Sequence, residues 1–288
     1  MNRSYIFKLS QRSSKEKLLI SLFPLFLFTY FFIFEFSFNH IVSPPVPNKF
    51  NVTLAYSHVA FLSKLGPRSY LHENTSLAIN YINQEFQRYG LKVKLQNYSL
   101  DSRIVRNKQG VNIIALKDSG KPMIIYCAHY DSVPESPGAN DNAAGVGVLL
   151  ELAHVFSKYE GSYDLAFIAF GDEEYGKMGS RFYTHHPLVN LSRVVVVLNL
   201  ENLGIGDRLH YNYHAAERRI PLWLAGALEI SNQQDKVAFY PITLLTSDHD
   251  SFAEVGIPTT GLYATYEEEF PYLHTSEDSL DKIDPKIL

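Results

Sequence analysis

The longest uninterrupted hydrophobic run in the chain lies near its N-terminus. Residues 18–34 contain no charged side chain, and apolar residues continue after Glu35 as far as Phe38. A run of this length is sufficient for a helix to cross the hydrocarbon core of a bilayer. We therefore predict a transmembrane helix over residues 18–38.

The charges that flank this run predict its orientation. Residues 1–17 carry a local charge of +4. Because basic residues favour the cytoplasmic side of a membrane, we expect a single-pass type II topology, with residues 1–17 as a cytoplasmic tail and the rest of the chain extracytoplasmic or lumenal. A cleaved signal peptide is the alternative, but the run exceeds a usual signal-peptide core and no small-x-small cleavage site follows it. Residues 39–50, which are rich in proline, predict an extended spacer before a domain over residues 51–288.

The first part of this domain shows helical and then strand-like periodicity. Residues 54–65 and 75–89 predict two helices, and Asn74 is the expected N-cap of the second. Strands are predicted over residues 91–98 and 111–116, and the first alternates enough to be half exposed.

Three later segments are apolar at nearly every position, which is typical of strands buried on both faces. They cover residues 123–128, 165–170 and 194–200. Residues 142–156, between the first two segments, predict a crossover helix in which Gly145 and Gly147 allow close approach to the sheet. The expected fold is an α/β three-layer sandwich with a mixed, mostly parallel central sheet.

Composition narrows the possible functions. The 26 Lys and Arg residues are outnumbered by 30 Asp and Glu residues, so the chain has no general basic excess for binding nucleic acid. Cys127 is the single cysteine, which excludes an internal disulfide framework and a cysteine-rich zinc site. A metal site in this chain must therefore use histidine and carboxylate ligands.

Such ligands follow the three buried segments. His129 and Asp131 come after the first, Glu173 and Glu174 after the second, and Glu201 after the third. Open α/β sheets place their ligands at the carboxyl ends of their strands. Because clustered carboxylates repel one another unless a cation or a proton compensates them, this pattern indicates a binding site. Each motif alone also has a structural explanation, such as a solvated acidic loop for the two glutamates.

Two further candidates lie in loops. Asp141 precedes the predicted crossover helix, where an aspartate can simply be a helix cap. His274 lies in a polar loop near the C-terminus, where a histidine can simply be a surface residue.

Six motifs in a fixed order resemble one family. They are H-x-D at residues 129–131, D-N-A-A-G at 141–145, E-E-x-G-x-x-G-S at 173–180, N-L-E at 199–201, S-D-H-x-x-F at 247–252 and H-T-x-E-D at 274–278. Together they resemble the co-catalytic di-zinc exopeptidases, which include bacterial leucyl aminopeptidases, vacuolar aminopeptidases and glutamate carboxypeptidases. Within that family, the motifs look most similar to the endoplasmic-reticulum metallopeptidase and vacuolar membrane protease branch.

The resemblance implies two zinc ions per chain. Asp141 corresponds to the carboxylate that bridges both ions. His129 and Glu201 would complete one metal site, and Glu174 and His274 would complete the other. Glu201 stands where aspartate is more frequent in the family, although the membrane-bound branch uses glutamate there.

The resemblance also implies roles for residues that do not bind metal. Glu173 corresponds to the general base, and Asp131 corresponds to the residue that orients His129. Leu273 stands where the family usually has an oxyanion-polarising tyrosine, so Tyr272 and Tyr263 are the candidates for that role.

The expected function is that of a membrane-anchored zinc exopeptidase that acts on peptides. Aminopeptidase activity is preferred over carboxypeptidase activity because it is the broader activity among similar chains. A glutaminyl-cyclase-like transferase with one zinc ion is an alternative, which the pattern after Asp141 and the G-x-x-G-S segment disfavour. A catalytically silent ectodomain of the same fold is a second alternative, which the complete set of ligands disfavours.

Overall fold

The structure, a computed structural model, describes residues 49–100, 108–213, 237–239, 246–265 and 270–288. The predicted cytoplasmic tail and the predicted transmembrane helix over residues 18–38 lie outside these ranges, as does most of the spacer. Among the described residues, no helix is both long enough and apolar enough to span a membrane.

The described strands form one mixed sheet. They are β1 (Lys92–Leu100), β2 (Lys108–Lys117), β3 (Met123–His129), β4 (Asp164–Phe170), β5 (Val194–Glu201), β6 (Arg208–Tyr213), β7 (Val237–Phe239) and β8 (Thr259–Thr265). Their order across the sheet is β1-β2-β4-β3-β5-β8-β6-β7. The four central strands β4, β3, β5 and β8 are parallel, whereas β2 is antiparallel to β1 and β4, and β6 is antiparallel to β8. The prediction of a mixed sheet with buried parallel strands is confirmed.

Helices cover both faces of this sheet. The described α-helices are α1 (Val52–Lys64), α2 (Asn74–Arg88), α3 (Gly145–Phe156), α4 (Met178–His185) and α5 (His249–Glu254). Every residue of β4 is buried, and successive side chains point to opposite faces. Phe167 packs in a core with Phe86 of α2 and Leu149 of α3, whereas Ile168 packs in a second core with Tyr183 of α4. The three-layer arrangement is therefore present.

The structure corrects the predicted start of two helices. Helix α2 begins at Asn74, which is therefore its first residue and not its N-cap; the Asn74 side-chain amide donates to the carbonyl oxygen of Pro67 at 3.4 Å. Helix α3 begins at Gly145 and not at residue 142. The preceding residues, Asp141 and Asn142, have non-helical backbone angles, and the Asn142 side chain accepts the backbone N–H of Gly145 at 3.0 Å.

The two glycines of α3 approach different neighbours. A Cβ atom on Gly145 would lie 2.4 Å from the carbonyl oxygen of Leu200 in β5, so this glycine does allow close approach to the sheet. A Cβ atom on Gly147 would lie 2.7 Å from the Val59 side chain in α1. The predicted role of Gly147 is therefore wrong, because this glycine makes room for a neighbouring helix.

Candidate metal centre

Three strand ends at the centre of the sheet bring predicted ligands to one edge. Strand β3 ends at His129, and its neighbour β5 ends at Glu201. Strand β4, on the other side of β3, continues into the turn that carries Glu173 and Glu174. Because these strands are parallel, their carboxyl ends meet at the same edge of the sheet.

The first group of candidate ligands lies at the ends of β3 and β5. The His129 Nε2 atom lies 3.1 Å from Glu201 Oε1 and 3.2 Å from Asp141 Oδ1. All three residues are buried, and one ligand atom from each lies within 4.8 Å of the others. We call this group the first triad.

The second group uses the other oxygen of Asp141. The His274 Nε2 atom lies 3.2 Å from Asp141 Oδ2 and 3.0 Å from Glu174 Oε2. These three residues form the second triad, whose ligand atoms also lie within 4.8 Å of one another. The side chain of His274 is 51% exposed, so the second triad opens towards solvent. The structure thus brings all five predicted ligands together and gives each triad one oxygen of Asp141.

The acidic members of the two triads differ in how strongly they hold a proton. Burial raises the pKa of Glu174 to about 7; the hydrogen bond with His274 opposes this rise, and the Asp141 carboxylate adds to it. Burial also disfavours charge on Asp141, but hydrogen bonds with His129 and His274 outweigh burial and hold the pKa of Asp141 below its ordinary value.

The histidines carry the compensating charge. Hydrogen bonds with Asp141 and Glu174 raise the pKa of His274 to about 10. Burial lowers the pKa of His129, but the carboxylates of Glu201, Asp131 and Asp141 outweigh burial and raise it well above its ordinary value. The carboxylates therefore draw positive charge to this edge of the sheet.

One oxygen in the second triad is suited to receive a cation directly. Glu174 Oε1 is buried and has no hydrogen-bond partner among the described residues. A buried carboxylate oxygen without a donor is costly unless a cation binds it. Imidazole nitrogens and carboxylate oxygens are also the ligands that zinc uses in catalytic sites. The residues present therefore fit zinc.

Asp131 connects the first triad to the glutamate turn. Its Oδ1 atom lies 3.4 Å from Nδ1 of His129, as expected for a residue that orients the imidazole ring. Its two carboxylate oxygens also accept the backbone N–H groups of Glu173 and Glu174 at 3.1 and 3.2 Å. One buried aspartate thus fixes a strand end and the neighbouring turn relative to each other.

Glu173 lies beside the triads without joining either of them. It lines a cavity of about 380 Å³, together with His129, Asp141, Glu174 and Glu201. Burial raises the pKa of Glu173 well above its ordinary value, and nearby carboxylates such as Glu201 add to the rise, although His129 opposes it. Its position leaves it available for proton transfer next to the candidate metal ligands.

The two candidate tyrosines occupy different places. Tyr263 in β8 is buried and lines the cavity. Tyr272 does not belong to the described lining residues; its ring is partly exposed and lies 5.4 Å from the Nζ atom of Lys282. Tyr272 therefore lies apart from the described lining of the cavity, and its role as an oxyanion residue stays a prediction. The left-handed backbone at Tyr272, with φ of 69°, accompanies this surface position.

The residues that donate hydrogen bonds to Glu201 were not predicted from the sequence. Ser247 donates its hydroxyl proton to Glu201 Oε2 at 2.7 Å and accepts the side-chain N–H of Asn199 at 3.0 Å. The side-chain amide of Asn202 donates to Glu201 Oε1 at 3.1 Å. The S-D-H-x-x-F and N-L-E motifs already contain Ser247 and Asn199, so the sequence did carry a signal for this contact.

Comparison with known proteins identifies the family. The model of Peptidase family M28 matches residues 112–288, which is more than half of the chain, and the chain belongs to this family. Aminopeptidase YwaD from Bacillus subtilis (strain 168) is 34% identical over 205 residues, covering 66% of this chain and 44% of that protein. A vacuolar membrane protease from Candida glabrata is 32% identical over 109 residues, covering 37% of this chain and 11% of that protein. The chain thus spans less than half the length of these relatives.

Solved structures share the fold over most of the chain. A zinc aminopeptidase from Bacillus subtilis superposes with a TM-score of 0.76 at 21% identity, covering 85% of this chain and 92% of that one. A glutaminyl cyclase from Porphyromonas gingivalis superposes with a TM-score of 0.73 at 22% identity, covering 83% of this chain and 93% of that one. The family resemblance inferred from the six motifs is confirmed, and the same fold is found in both classes of enzyme.

Proposed function

We propose that this protein is a zinc-dependent exopeptidase that removes N-terminal residues from peptides and uses two zinc ions per chain. The proposal rests on Asp141, which contributes one carboxylate oxygen to each triad. Each triad offers three protein ligands, which is the number that catalytic zinc sites use while keeping a position for water or substrate. The aminopeptidases among its relatives support the same activity.

Zinc bound at this edge would lower the pKa of a water molecule and polarise the scissile carbonyl group. Residues near the ligands would transfer protons and keep the ligand side chains in position. Glu173 accepts the proton of the attacking water and delivers it to the nitrogen of the leaving amine, as a general base and then a general acid. Asp131 keeps His129 and the Glu173 turn in their relative positions.

The charge of the cavity supports an aminopeptidase over a carboxypeptidase. Among the described residues that line the cavity, Lys177 is the one lysine or arginine, and its Nζ atom lies 3.1 Å from Asp250 Oδ2. This ion pair already neutralises the cation that would attract a substrate carboxylate. Among the described lining residues, a substrate carboxylate therefore finds no unpaired lysine or arginine, which favours a substrate that is recognised through its amine.

We propose further that the N-terminal segment anchors the enzyme in a membrane. In this proposal residues 18–38 are the anchor of a type II protein, and residues 51–288 are the peptidase domain on the extracytoplasmic or lumenal side. The vacuolar membrane proteases among the relatives support an association with membranes. Alkaline carbonate extraction and N-terminal sequencing test this assignment, and recovery of a soluble product that begins near residue 40 would overturn it.

Substrate chemistry and zinc content together test the enzymatic proposal. Purified full-length protein is assayed with a peptide that has a free N-terminus and an amidated C-terminus, and with its N-acetylated counterpart. We expect two zinc ions per chain, hydrolysis of the first peptide and none of the second. One zinc ion with cyclisation of an N-terminal glutamine would favour the glutaminyl-cyclase-like transferase. Absence of any reaction in zinc-loaded protein would favour a catalytically silent domain.

A further inference from the structure

The backbone that carries Asp141 depends on one distant residue for its hydrogen bonds. Residues 139–144 precede α3, and Asp141 itself has non-helical backbone angles. The carbonyl oxygen of Asp278 accepts the N–H of Ala139 at 3.1 Å. The Asp278 carboxylate accepts the next two N–H groups, that of Asn140 at 2.7 Å and that of Asp141 at 3.0 Å. Three consecutive donors therefore bind the same residue.

The preceding carbonyl groups are held from the other side by Arg68. This arginine is fully buried and donates to the carbonyl oxygens of Pro137 at 2.6 Å and Gly138 at 2.8 Å. Its Nε atom also donates to the carbonyl oxygen of Tyr130 at 2.8 Å, just after the end of β3. A cation and an anion thus satisfy successive backbone groups on opposite sides of the same loop.

Asp278 also belongs to the loop that carries His274. The N–H of Asp278 donates to the carbonyl oxygen of Thr275 at 3.2 Å, and the N–H of Thr275 donates to the carbonyl oxygen of Tyr272 at 3.0 Å. His274 is enclosed by these turns and has a left-handed backbone, with φ of 59°. Its side chain is half exposed, whereas Asp278 is buried. Asp278 is therefore the part of this loop that is fixed in the interior.

These contacts give the two triads different supports. His129 and Glu201 of the first triad are the last residues of neighbouring strands, so backbone pairing in the sheet fixes them. Asp141 and His274 of the second triad lie in two loops, and the hydrogen bonds of Asp278 join those loops. Loss of Asp278 should therefore disturb the second triad more than the first.

We propose that Asp278 is a positioning residue for the second metal of the pair, because it holds the Asp141 loop and the His274 loop in register. Its side chain bonds to backbone groups and to neither metal ligand side chain. Removing it displaces the Asp141 carboxylate and the His274 loop relative to each other and to Glu174. This inference rests on the proposed zinc site and assigns the site a residue outside its ligand set.

Calorimetric titration of metal-free, full-length protein with zinc tests the proposal. The variants are Asp278→Ala and Asp278→Asn, and Glu277→Gln is the matched control because Glu277 is the exposed neighbour in the same loop. Wild type and Glu277→Gln should bind two zinc ions. Asp278→Ala should bind the second zinc ion about 10- to 100-fold more weakly, the range seen when a residue supporting a metal ligand is lost. The first zinc ion should show a smaller loss, because Asp141 is one of its ligands while His129 and Glu201 stay fixed by the sheet. Asp278→Asn, which keeps one acceptor oxygen, should show a smaller loss.

Cobalt substitution adds a spectroscopic signature that a general loss of stability does not produce. In Asp278→Ala, the visible absorption of the second bound cobalt ion should change more than that of the first. Unchanged affinity for both metals in Asp278→Ala would overturn the proposal, and so would equal weakening of both. Fewer than two bound zinc ions in wild type would overturn both the proposed function and this inference. If wild type binds two zinc ions, the Asp278 variants test this inference on its own.

Discussion

Strand β4 has a buried carboxylate near each end, and the surrounding residues shift the pKa values of these two carboxylates in opposite directions. Asp164, its first residue, accepts hydrogen bonds from the Ser119 hydroxyl at 2.7 Å and from the backbone N–H groups of Ser119, Gly120 and Lys121 at 2.9, 2.8 and 2.7 Å. Arg193 adds a guanidinium contact. Burial alone would raise the pKa of Asp164, but these hydrogen bonds outweigh it and lower the pKa to about 2.

Glu174, in the turn after the other end of β4, is not surrounded by several hydrogen-bond donors in this way. Its neighbours include the carboxylate of Asp141, one of its oxygens has no partner among the described residues, and burial raises its pKa to about 7. Both carboxylates are buried, so burial does not distinguish a structural acid from a metal ligand. The surroundings do separate these two carboxylates, because both oxygens of Asp164 accept hydrogen bonds whereas Glu174 pairs with His274 through Oε2 and leaves Oε1 for a cation.

The largest expected effect separates the two glutamates of the turn. Glu173→Gln keeps the shape of the side chain and removes the base, so turnover should fall by about 10²- to 10⁴-fold while zinc content stays at the wild-type level. Glu174→Gln should lose zinc from the second triad. Peptidase kinetics and metal analysis of both variants measure this difference. Loss of zinc from Glu173→Gln, with retention in Glu174→Gln, would require the two roles to be exchanged.

Stability should respond in opposite directions at the two ends of β4. Asp164→Ala leaves several N–H groups without an acceptor and should lower the free energy of unfolding by about 2–4 kcal/mol. Glu174→Gln replaces a carboxyl group whose charge burial disfavours and keeps an oxygen that can accept from His274, so it should stabilise the metal-free protein at neutral pH by about 1 kcal/mol. Urea unfolding in the presence of a chelator measures both. Asp118→Asn is the control, because Asp118 is the more exposed partner of Arg193. Equal destabilisation by the Asp164 and Glu174 variants would remove the distinction.

The pH dependence of stability should also have opposite signs. Asp164 has a folded pKa of about 2, below its ordinary value of 3.8, so its contribution of about 2 kcal/mol is complete above pH 4 and is lost as the pH falls towards 2. Glu174 has a folded pKa of about 7, above its ordinary value of 4.5, so the stability from its bound proton is present below pH 4.5 and is lost as the pH rises through 7.

The pH dependence of stability should be compared in metal-free and zinc-loaded protein, because zinc should affect the contribution of Glu174 but not that of Asp164. Zinc replaces the proton at Glu174, so the loss of stability towards neutral pH should be confined to metal-free protein. Unfolding measured from pH 2 to pH 8 should show a shallower acid slope in Asp164→Asn and a shallower slope near neutral pH in Glu174→Gln. The second slope should not vanish, because Asp172 and Asp248 also have a pKa of about 7. A slope near neutral pH that persists unchanged in Glu174→Gln would show that Glu174 does not hold this proton.

The sequence predicted the strands and ligands that follow local patterns. Apolar segments that run directly into His129, Glu174 and Glu201 specify both a buried strand and the polar group at its end, so residue order alone located that edge of the sheet. The strands β6, β7 and β8 were not predicted. Residues 259–265 of β8 are less uniformly apolar than the central segments, so hydrophobic periodicity gave no clear strand signal there.

The remaining features depend on contacts between distant parts of the chain. Asp278 bonds to the backbone of Asp141 across 137 residues, and no local pattern contains that information. The start of α3 was misplaced because the side chain of Asn142 and this distant aspartate both favour a non-helical turn over the helical pattern. Tyr272 is a candidate for the site only through its sequence position beside Leu273, and in the structure its ring lies 5.4 Å from the Nζ atom of Lys282.

The zinc content of three variants tests the central claim most directly, namely that the clustered carboxylates and histidines at one edge of the sheet hold two zinc ions through a shared Asp141. After dialysis against dilute zinc, wild type and Asp164→Asn should each retain two zinc ions per chain. Glu201→Ala should retain about one, and Asp141→Ala should retain neither at full occupancy, because only Asp141 reaches both triads. Two zinc ions in Asp141→Ala would contradict the account.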